Sequence, residues 1–318
     1  LLSGWDNKIS FLLLETLRGQ SILSTQDLTK GLVVELCKFA ALLEMTEIAQ
    51  HHPLDGKLVI TAFFEASTRT RLSFESAVLR LDGKVVSVPD GKVTGIAKGE
   101  SLADIGEMFN SYGDLVIVRH PRENALQELN TNLVVPLINA GNGTGEHPSQ
   151  ALIDWYTLFK WRPDLCADNC PENRRIHLGI IGNPINMRAV KSFLRLALYF
   201  PNSLAELTIN SDQEDPLGPE LRGALAKAGV SANVVDNLSQ ILPELDVIYM
   251  NSITLLEDGY HEFGERFRLD KSSRLKPDSV ILHPFIPRRS SARSWPSAAS
   301  PGSSAWTARP RSTSSSRR

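Results

Sequence analysis

Residues 57–71 decide the fold class, and they read KLVITAFFEASTRTR. The first eight residues form an apolar, partly β-branched run of the length of a buried strand, and residues 71–82 then show apolar residues at helical spacing. Further strand-like runs, bounded by Gly, Asp or Pro, occupy residues 84–89, 115–120, 134–140, 176–182, 206–210, 246–251 and 279–282. Helical spacing recurs at residues 101–112, 148–161, 187–200 and 217–229. Alternating strands and helices predict parallel sheets covered by helices.

The length of the chain favours two such sheets rather than one. It has 318 residues, which is enough for two domains that each bury their own core. A polar loop at residues 162–174 follows the long helical stretch 148–161 and is typical of a boundary. We therefore predict an α/β protein with two doubly wound parallel-sheet domains, residues 1–147 and 148–287, joined by interdomain helices.

Residues 288–318 differ in composition from the rest of the chain. They contain seven Arg and eleven Ser, but no Lys, Asp, Glu, Leu, Ile or Val. Without Leu, Ile or Val the segment cannot build an apolar face, so we predict a disordered tail. A basic arm for nucleic acid, a phosphorylated segment and a non-native C-terminus, such as a frameshift would produce, remain alternatives for it.

The remaining residues argue against a nucleic-acid partner. Removing the seven tail arginines from the 34 basic residues leaves 27 against 36 acidic residues, a charge of −9 that repels phosphate backbones. The composition, 42% hydrophobic and 22% charged, excludes collagen-like, disulfide-rich and fully disordered classes. No apolar run is long enough to span a bilayer, so no membrane role is expected.

The cysteines and the first residues bear on cellular location. Cys37, Cys166 and Cys170 are too few for a disulfide framework, which favours a reducing cytoplasm, and their spacing does not indicate a metal site. The start, LLSGWD, carries an acid and no basic segment, unlike a signal peptide. It also lacks a Met, which leaves open whether the N-terminus is complete.

The segment after the first strand has the residue types of an anion site. Ser67, Thr68, Arg69 and Thr70 stand where a strand ends and a helix begins. Backbone N–H groups and the helix dipole favour phosphate there, and a guanidinium fork can hold it with two hydrogen bonds. The alternative is a helix capped by Ser67 or Thr68, with the arginines in solvent. The whole cluster at a strand's carboxyl end favours phosphate or carboxylate binding.

Other polar residues follow neighbouring strands. Arg119 and His120 end the third strand, and His147 and Gln150 open the helix after the fourth. Taken singly each His is more often structural, but together these residues would surround one small anionic substrate. Lys98 lies in a loop, 90–100, which composition alone also allows to be a solvated, mobile segment. Cofactor motifs are missing: there is no Walker A sequence, and Gly179 to Gly182 only partly matches a dinucleotide fingerprint.

The combination of motifs resembles the aspartate/ornithine carbamoyltransferase family. The residues that carry it are FFEASTRTR at 63–71, KGES at 98–101, VRHP at 118–121, HPSQ at 147–150 and the GN-x4-R turn at 182–188. The resemblance covers about residues 8–287. The motif FEASTRTR at 64–71 is similar to the corresponding motif of the aspartate branch of the family. The ornithine branch carries a cysteine in its late His-x-Leu-Pro segment, whereas His283 to Pro287 contains none.

The resemblance implies a specific activity and assembly. It implies transfer of the carbamoyl group from carbamoyl phosphate to L-aspartate, giving N-carbamoyl-L-aspartate and phosphate in pyrimidine biosynthesis. Residues 1–147 would bind carbamoyl phosphate and residues 148–287 the amino acid. A cytoplasmic homotrimer with shared active sites is expected, with a regulatory subunit as a possible partner, and no metal or cofactor is implied.

The resemblance also implies roles for residues of this sequence. The positions that match the carbamoyl phosphate site are Ser67, Thr68, Arg69, Thr70, Thr94, Lys98, Arg119, His147 and Gln150. Among them the expected catalytic residues are Arg69, Thr70, Lys98, Arg119 and His147. Thr94 and Lys98 would come from a neighbouring subunit. The expected amino-acid site comprises Arg188, for the α-carboxylate, with Ser252, Thr254 and Pro284.

Two departures from the family pattern bear on these expectations. Ser252 and Thr254 stand where the family has an Arg and a Gln that read the aspartate side-chain carboxylate. Unless Arg266, Arg268 or Arg274 replaces that contact, the aspartate requirement rises or another amino acid is the substrate. The second departure is the Ser/Arg-rich tail in place of a helix. It motivates a further alternative, an inactive relative that binds carbamoyl phosphate or a partner protein without turnover.

Overall fold

The computed structural model describes residues 9–45, 52–90, 99–250, 253–256, 259–262, 269, 273–283 and 305–307. The chain divides into two compact units. The first comprises Leu1–Trp155 and Lys191–Tyr199, and the second comprises Tyr156–Val190 and Phe200–Arg318. No helix among the described residues is both long enough and apolar enough to cross a membrane.

The unit boundary differs from the predicted boundary at residue 147. Residues 148–155 and 191–199 belong to the first unit. Trp155, which is fully buried, explains part of this assignment: its ring stacks on Phe193 with a centroid distance of 5.3 Å, and its Nε1 donates to the Phe193 carbonyl at 3.0 Å.

The first unit contains a four-stranded parallel sheet in the order β2-β1-β3-β4. Its elements in chain order are α1 (Phe11–Glu15), α2 (Lys30–Met45), β1 (Leu58–Phe63), α3 (Thr68–Arg80), β2 (Lys84–Val88), α4 (Leu102–Asn110), β3 (Leu115–His120), α5 (Ala125–Asn130), β4 (Leu137–Asn142) and the start of α6 (Pro148–Trp161). The central strands β1 and β3 are buried after their first residue, as expected for strands covered on both faces.

Close packing of α4 on α5 depends on a glycine. A Cβ on Gly106 would lie 2.4 Å from the carbonyl oxygen of Leu129, so only glycine lets the two helices approach to this distance. The adjacent core cluster includes Ile105, Phe109 and Leu126, all buried.

The second unit contains a six-stranded sheet in the order β12-β11-β8-β5-β6-β7. Its elements are β5 (Ile176–Ile181), α7 (Arg188–Ala197, which ends in the first unit), β6 (Leu204–Asn210), α8 (Gly218–Lys227), β7 (Ala232–Val235), α9 (Leu238–Ile241), β8 (Val247–Met250), β9 (Ile253–Leu256), β10 (Gly259–Glu262), β11 (Val280–Leu282) and β12 (Ala305–Thr307). All pairs in this sheet are parallel except β11 with β12, and β9 and β10 form a separate antiparallel pair.

The predicted α/β class is confirmed, and the differences have local causes. β4 begins at Leu137 rather than at residue 134, because Pro136 has no N–H to give to a ladder. α3 begins at Thr68, so the hydroxyl-rich segment forms its first turn rather than a loop before it.

The predicted tail falls mostly outside the described residues. At residues 305–307 the structure differs from the prediction of disorder, because Ala305–Thr307 pairs with β11 as an antiparallel edge strand. The open backbone groups of a sheet edge accept such a segment without needing an apolar face.

Candidate active site

The predicted phosphate residues lie where the first sheet reverses its strand order. The chain passes from β1 to β2 on one side, and then to β3 on the other side of β1. Ligands of open α/β sheets bind at the carboxyl ends of such a strand pair. The residues after β1 and at the end of β3 meet there, since Phe63 is in register with Arg119 and the Phe64 N–H donates to the Arg119 carbonyl at 2.8 Å.

The N-terminus of α3 has the features of an anion site. Ser67 is the N-cap residue, with φ −158° and ψ 88°, but its side chain makes no capping hydrogen bond. Ser67 therefore occupies the N-cap position that the alternative interpretation gave to Ser67 or Thr68, but its hydroxyl does not cap the helix. Thr68, Arg69 and Thr70 form the first helical turn, whose N–H groups have no carbonyl partner inside the helix. These donors and the helix dipole favour a negatively charged group.

Arg69 and Arg119 bring positive charge to this edge in different environments. Arg69 is exposed, and the partial desolvation it experiences lowers its pKa, which leaves the guanidinium charged at neutral pH. Arg119 is only 7% exposed. Its Nη2 donates to Glu65 Oε1 at 3.1 Å and its Nη1 donates to the Ala140 carbonyl at 3.4 Å. Arg119 is thus fixed between the segment after β1 and strand β4.

His147 and Gln150 stand at the beginning of α6, directly after the turn that follows β4. His147 is 8% exposed, and its backbone N–H donates to Ser192 Oγ at 2.9 Å. Its Nδ1 lies 3.3 Å from Ser149 Oγ. Gln150 Nε2 donates to the buried Asp154 carboxylate at 3.0 Å, which assigns the amide nitrogen to Asp154 and turns the carbonyl oxygen away from it.

His120, which the sequence predicts near a small anionic substrate together with Arg119, is a buried neighbour of that arginine. Its Nδ1 accepts the Arg122 N–H at 3.0 Å, and its ring centroid lies 5.4 Å from that of Phe64. Burial, with the positive charge of Arg122 as a smaller cause, lowers the pKa of His120 below its ordinary value. The imidazole is therefore neutral at pH 7, with Nδ1 as an acceptor.

Two carboxylates that hold the site together were missed by the sequence analysis. Glu65 pairs with Arg119, and Glu146 is buried next to His147 with bonds to Ser24, Thr25, Ser192 and Arg195. The available signals were that Glu65 lies inside the quoted motif at 63–71 and that Glu146 directly precedes His147. Nothing local in the sequence indicated their partners.

The second sheet also reverses its strand order, between β5 and β8. Arg188 follows β5 as the first residue of α7 and is half-buried. Asn183, in the turn between them, is 5% exposed; it accepts from Ser211 Oγ and its Nδ2 lies 3.4 Å from Asp212 Oδ1. Strand β9, which contains Thr254, lies against the helical turn Pro184–Asn186.

Several predicted residues lie outside the described residues, namely Thr94, Lys98, Ser252, Pro284, Arg266 and Arg268. The structure brings the positions after β1, β3 and β4 to one edge of the first sheet, and it leaves Arg188 with the second unit. Arg274 is exposed. Within the described ranges, no group of three or more His, Cys, Asp or Glu side chains could hold a metal ion.

Comparison with known proteins gives consistent matches. Residues 20–160 match the family model described as aspartate/ornithine carbamoyltransferase, carbamoyl-P binding domain. The aspartate carbamoyltransferase catalytic subunit of Dichelobacter nodosus is 34% identical over 288 residues, which cover 87% of this chain and 80% of that protein. The catalytic subunit of Picrophilus torridus is 36% identical over 246 residues, 76% of each chain.

Solved structures of the same kind of enzyme are similar to this fold. The Trypanosoma cruzi aspartate transcarbamoylase in complex with carbamoyl aspartate and phosphate superimposes with a TM-score of 0.69 at 29% identity, covering 86% of each chain. Its complex with carbamoyl phosphate and aspartate gives the same TM-score at 28% identity, covering 87% of this chain and 86% of that one.

Proposed function

Because this chain belongs to the aspartate/ornithine carbamoyltransferase family, we propose that it transfers the carbamoyl group of carbamoyl phosphate to the amine of L-aspartate. The products are N-carbamoyl-L-aspartate and phosphate, a step of pyrimidine biosynthesis. The observation that carries this proposal is the N-terminus of α3, which opens with Ser67, Thr68, Arg69 and Thr70 beside the buried Arg119 at the strand-order reversal. The reaction as proposed draws on side chains and backbone N–H groups, without a metal or cofactor.

The phosphate end of the site stabilises the leaving group. The uncharged amine attacks the carbamoyl carbon, the carbon–oxygen bond to phosphate breaks, and negative charge grows on the phosphate. Arg69 and the N–H groups of the first turn of α3 stabilise that charge. Electrostatic stabilisation of this kind is usually the largest single contribution to rate enhancement. The departing phosphate takes the amine proton, so no protein base is required.

The carbamoyl end of the site supplies donors to the carbonyl oxygen. Thr70, Arg119 and His147 polarise that oxygen, with His147 acting as a hydrogen-bond donor. Glu65 fixes the Arg119 guanidinium in advance, so that little reorganisation is needed as charge develops. Gln150, whose amide nitrogen is held by Asp154, accepts from the carbamoyl NH2 through its carbonyl oxygen.

The amino-acid end of the site determines which amino acid is the substrate. We assign the α-carboxylate to Arg188, with Ser252, Thr254 and Pro284 completing this end. Relatives named aspartate carbamoyltransferase, and the Trypanosoma cruzi enzyme crystallised with carbamoyl phosphate and aspartate, support aspartate. The uncharged Ser252 and Thr254 favour a different amino acid as the second candidate.

A homotrimer with shared active sites follows from the same proposal. Leu72 and Leu79 on α3 and Val86 on β2 are 54%, 59% and 43% exposed, an apolar surface that a second copy of the chain would cover. Thr94 and Lys98 would then complete the neighbouring site. A sedimentation mass of one chain at micromolar concentration would contradict the trimer, and a larger heteromeric mass would reveal a regulatory subunit. The low cysteine content supports a cytoplasmic location.

The experiment that tests the proposed function measures products by mass after incubating carbamoyl phosphate with a panel of amino acids, including aspartate and ornithine. Carbamoyl-aspartate as the main product supports the proposal. A product from another amino acid, with aspartate inert, overturns aspartate as substrate. Binding of carbamoyl phosphate by calorimetry without any carbamoylated product establishes the inactive relative instead.

A further inference from the structure

Glu146 places a buried carboxylate directly beside the proposed catalytic residue His147. The side chain is part of a residue only 5% exposed, and an unpaired charge at such a depth would strongly destabilise the fold. Its Oε1 accepts from Ser24 Oγ and from the Arg195 guanidinium. Its Oε2 accepts from the Thr25 N–H at 2.9 Å and the Thr25 hydroxyl at 2.7 Å.

These contacts keep the carboxylate ionised. Burial alone raises the pKa of Glu146, but the hydrogen bonds from Ser24 and Thr25, together with the positive charge of Arg195, outweigh it and leave the pKa below its ordinary value. An ionised carboxylate can only accept hydrogen bonds. Every hydroxyl that reaches Glu146 must therefore point its proton toward it.

Ser192 transmits this constraint to His147. Its hydroxyl donates to Glu146 Oε2 at 3.2 Å, so the hydroxyl oxygen accepts elsewhere, and it accepts the backbone N–H of His147 at 2.9 Å. Ser192 is fully buried, which leaves water no access to replace either bond. The same segment is tied at its other end, where the Glu146 N–H donates to Asn142 Oδ1 at 2.9 Å.

We propose that Glu146 is a positioning residue that fixes the backbone of His147 through the Ser192 hydroxyl. The proposal deepens the proposed function, because it concerns the donor to the carbamoyl oxygen in that same site. A displacement of about 1 Å at a reacting group reduces turnover by roughly a hundredfold, so a donor on a loop gains from such fixation. Arg195 and Thr25 hold the carboxylate, and Ser192 bonds both to Glu146 and to the backbone of His147.

The test uses the variants Glu146→Gln, Ser192→Ala and their double mutant. Ser192→Ala keeps the ion pair between Glu146 and Arg195, so it preserves the fold while removing the acceptor of the His147 N–H. We expect each single variant to lower kcat by roughly tenfold to a hundredfold. The dissociation constant of carbamoyl phosphate should change by less than about threefold, since the phosphate contacts lie on α3. The double mutant should be no slower than the slower single mutant, because both changes interrupt one connection.

The matched control is Glu35→Gln. Glu35 is a second buried carboxylate of the first unit, paired with Lys38 at 2.8 Å and with the Ser10 N–H at 2.6 Å, and none of these residues belongs to the proposed site. This variant should lower the melting temperature and leave kcat unchanged. The proposal is overturned if Glu146→Gln and Ser192→Ala keep the wild-type kcat, or if their effects multiply in the double mutant.

A second readout separates this proposal from the proposed function. Hydrogen exchange of a peptide that covers residues 143–150 should accelerate in Glu146→Gln and Ser192→Ala, but not in Glu35→Gln. This readout needs no substrate. If the wild-type chain makes no carbamoyl-aspartate, the proposed function fails, while accelerated exchange still supports the positioning role and unchanged exchange overturns it.

Discussion

Both sheets reverse their strand order at a central pair of strands, but the two reversals carry different chemistry. In the first unit the edge of β1 and β3 carries the anion motif of α3, with the exposed Arg69, and the buried Arg119, which Glu65 and Ala140 of the same unit hold. In the second unit Arg188 follows β5. The uncharged Ser252 and Thr254 follow β8 in the sequence, at positions where the carbamoyltransferase family has Arg and Gln. Under the proposed function, Arg119 at the carbamoyl phosphate edge is held by Glu65, whereas the edge proposed for the amine departs from the family pattern at Ser252 and Thr254.

The largest expected effects come from the two arginines of the first edge. Arg69→Ala should lower kcat/KM by roughly a thousandfold, because it removes the guanidinium that stabilises the negative charge on the leaving phosphate. Its melting temperature should stay near that of the wild type, since Arg69 is exposed. Arg119→Met should lose similar activity and also about 3–5 kcal/mol of stability, because the Glu65 side chain, which is only 13% exposed, loses its ion pair with Arg119.

Steady-state kinetics and denaturant unfolding of both variants provide the measurement. Arg122→Ala is the matched control, since Arg122 stands near the same strand end with a side chain that is 60% exposed. A loss of stability in Arg69→Ala as large as in Arg119→Met would show that the two arginines are held alike, which contradicts the difference in their environments.

The next effect tests the division of labour between the two edges. Arg188→Met should raise the KM for aspartate by about a hundredfold, as expected for loss of a charge-assisted contact to the α-carboxylate. The dissociation constant of carbamoyl phosphate, measured by calorimetry without the amino acid, should not change. Arg222→Met, at an exposed arginine of the same unit, serves as control. Weaker carbamoyl phosphate binding in Arg188→Met would argue against separate edges.

A gain of function would sharpen the same comparison at Ser252. Ser252→Arg should lower the KM for aspartate by roughly tenfold to a hundredfold, because it restores a cation for the side-chain carboxylate. Ser252→Met controls for added side-chain length without charge. If Ser252→Arg instead weakens aspartate binding, the position does not face that carboxylate, and another residue reads it.

The elements that the sequence predicted well are those with strong local signals. Helix α6 spans Pro148–Trp161 as predicted, because a proline at the first helical position and an amphipathic repeat mark it. The positions of Arg69 and Arg119 had a similar local signal, because Arg69 stands in the helix that follows β1 and Arg119 stands near the end of β3; their roles stay predictions. The hairpin β9–β10 and the edge strand β12 have no comparable periodicity and were not predicted.

The hydrogen-bond partners that hold Glu146 could not be predicted from the sequence. Glu146 bonds to Ser24, Ser192 and Arg195, which are 122, 46 and 49 positions away in the chain. No pattern of local spacing identifies such partners. The division into compact units differs from the predicted boundary for a related reason, because the segment 191–199 joins the first unit through tertiary contacts such as that of Phe193 with Trp155.

The smallest expected effect concerns the neutral His120 at the first edge. Its pKa is lowered in the folded chain by burial, so the unfolded chain binds the additional proton at a higher pH. The contribution of the neutral His120 to stability is therefore greatest above the ordinary pKa of histidine, near 6.5, and it declines as the pH falls below that value. His120→Asn removes the titrating ring and retains an acceptor for the Arg122 N–H. Melting temperatures measured between about pH 7.5 and 5.5 should fall less steeply for His120→Asn than for the wild type. Parallel slopes would mean that the charge state of His120 does not contribute to the stability of the edge that holds Arg119.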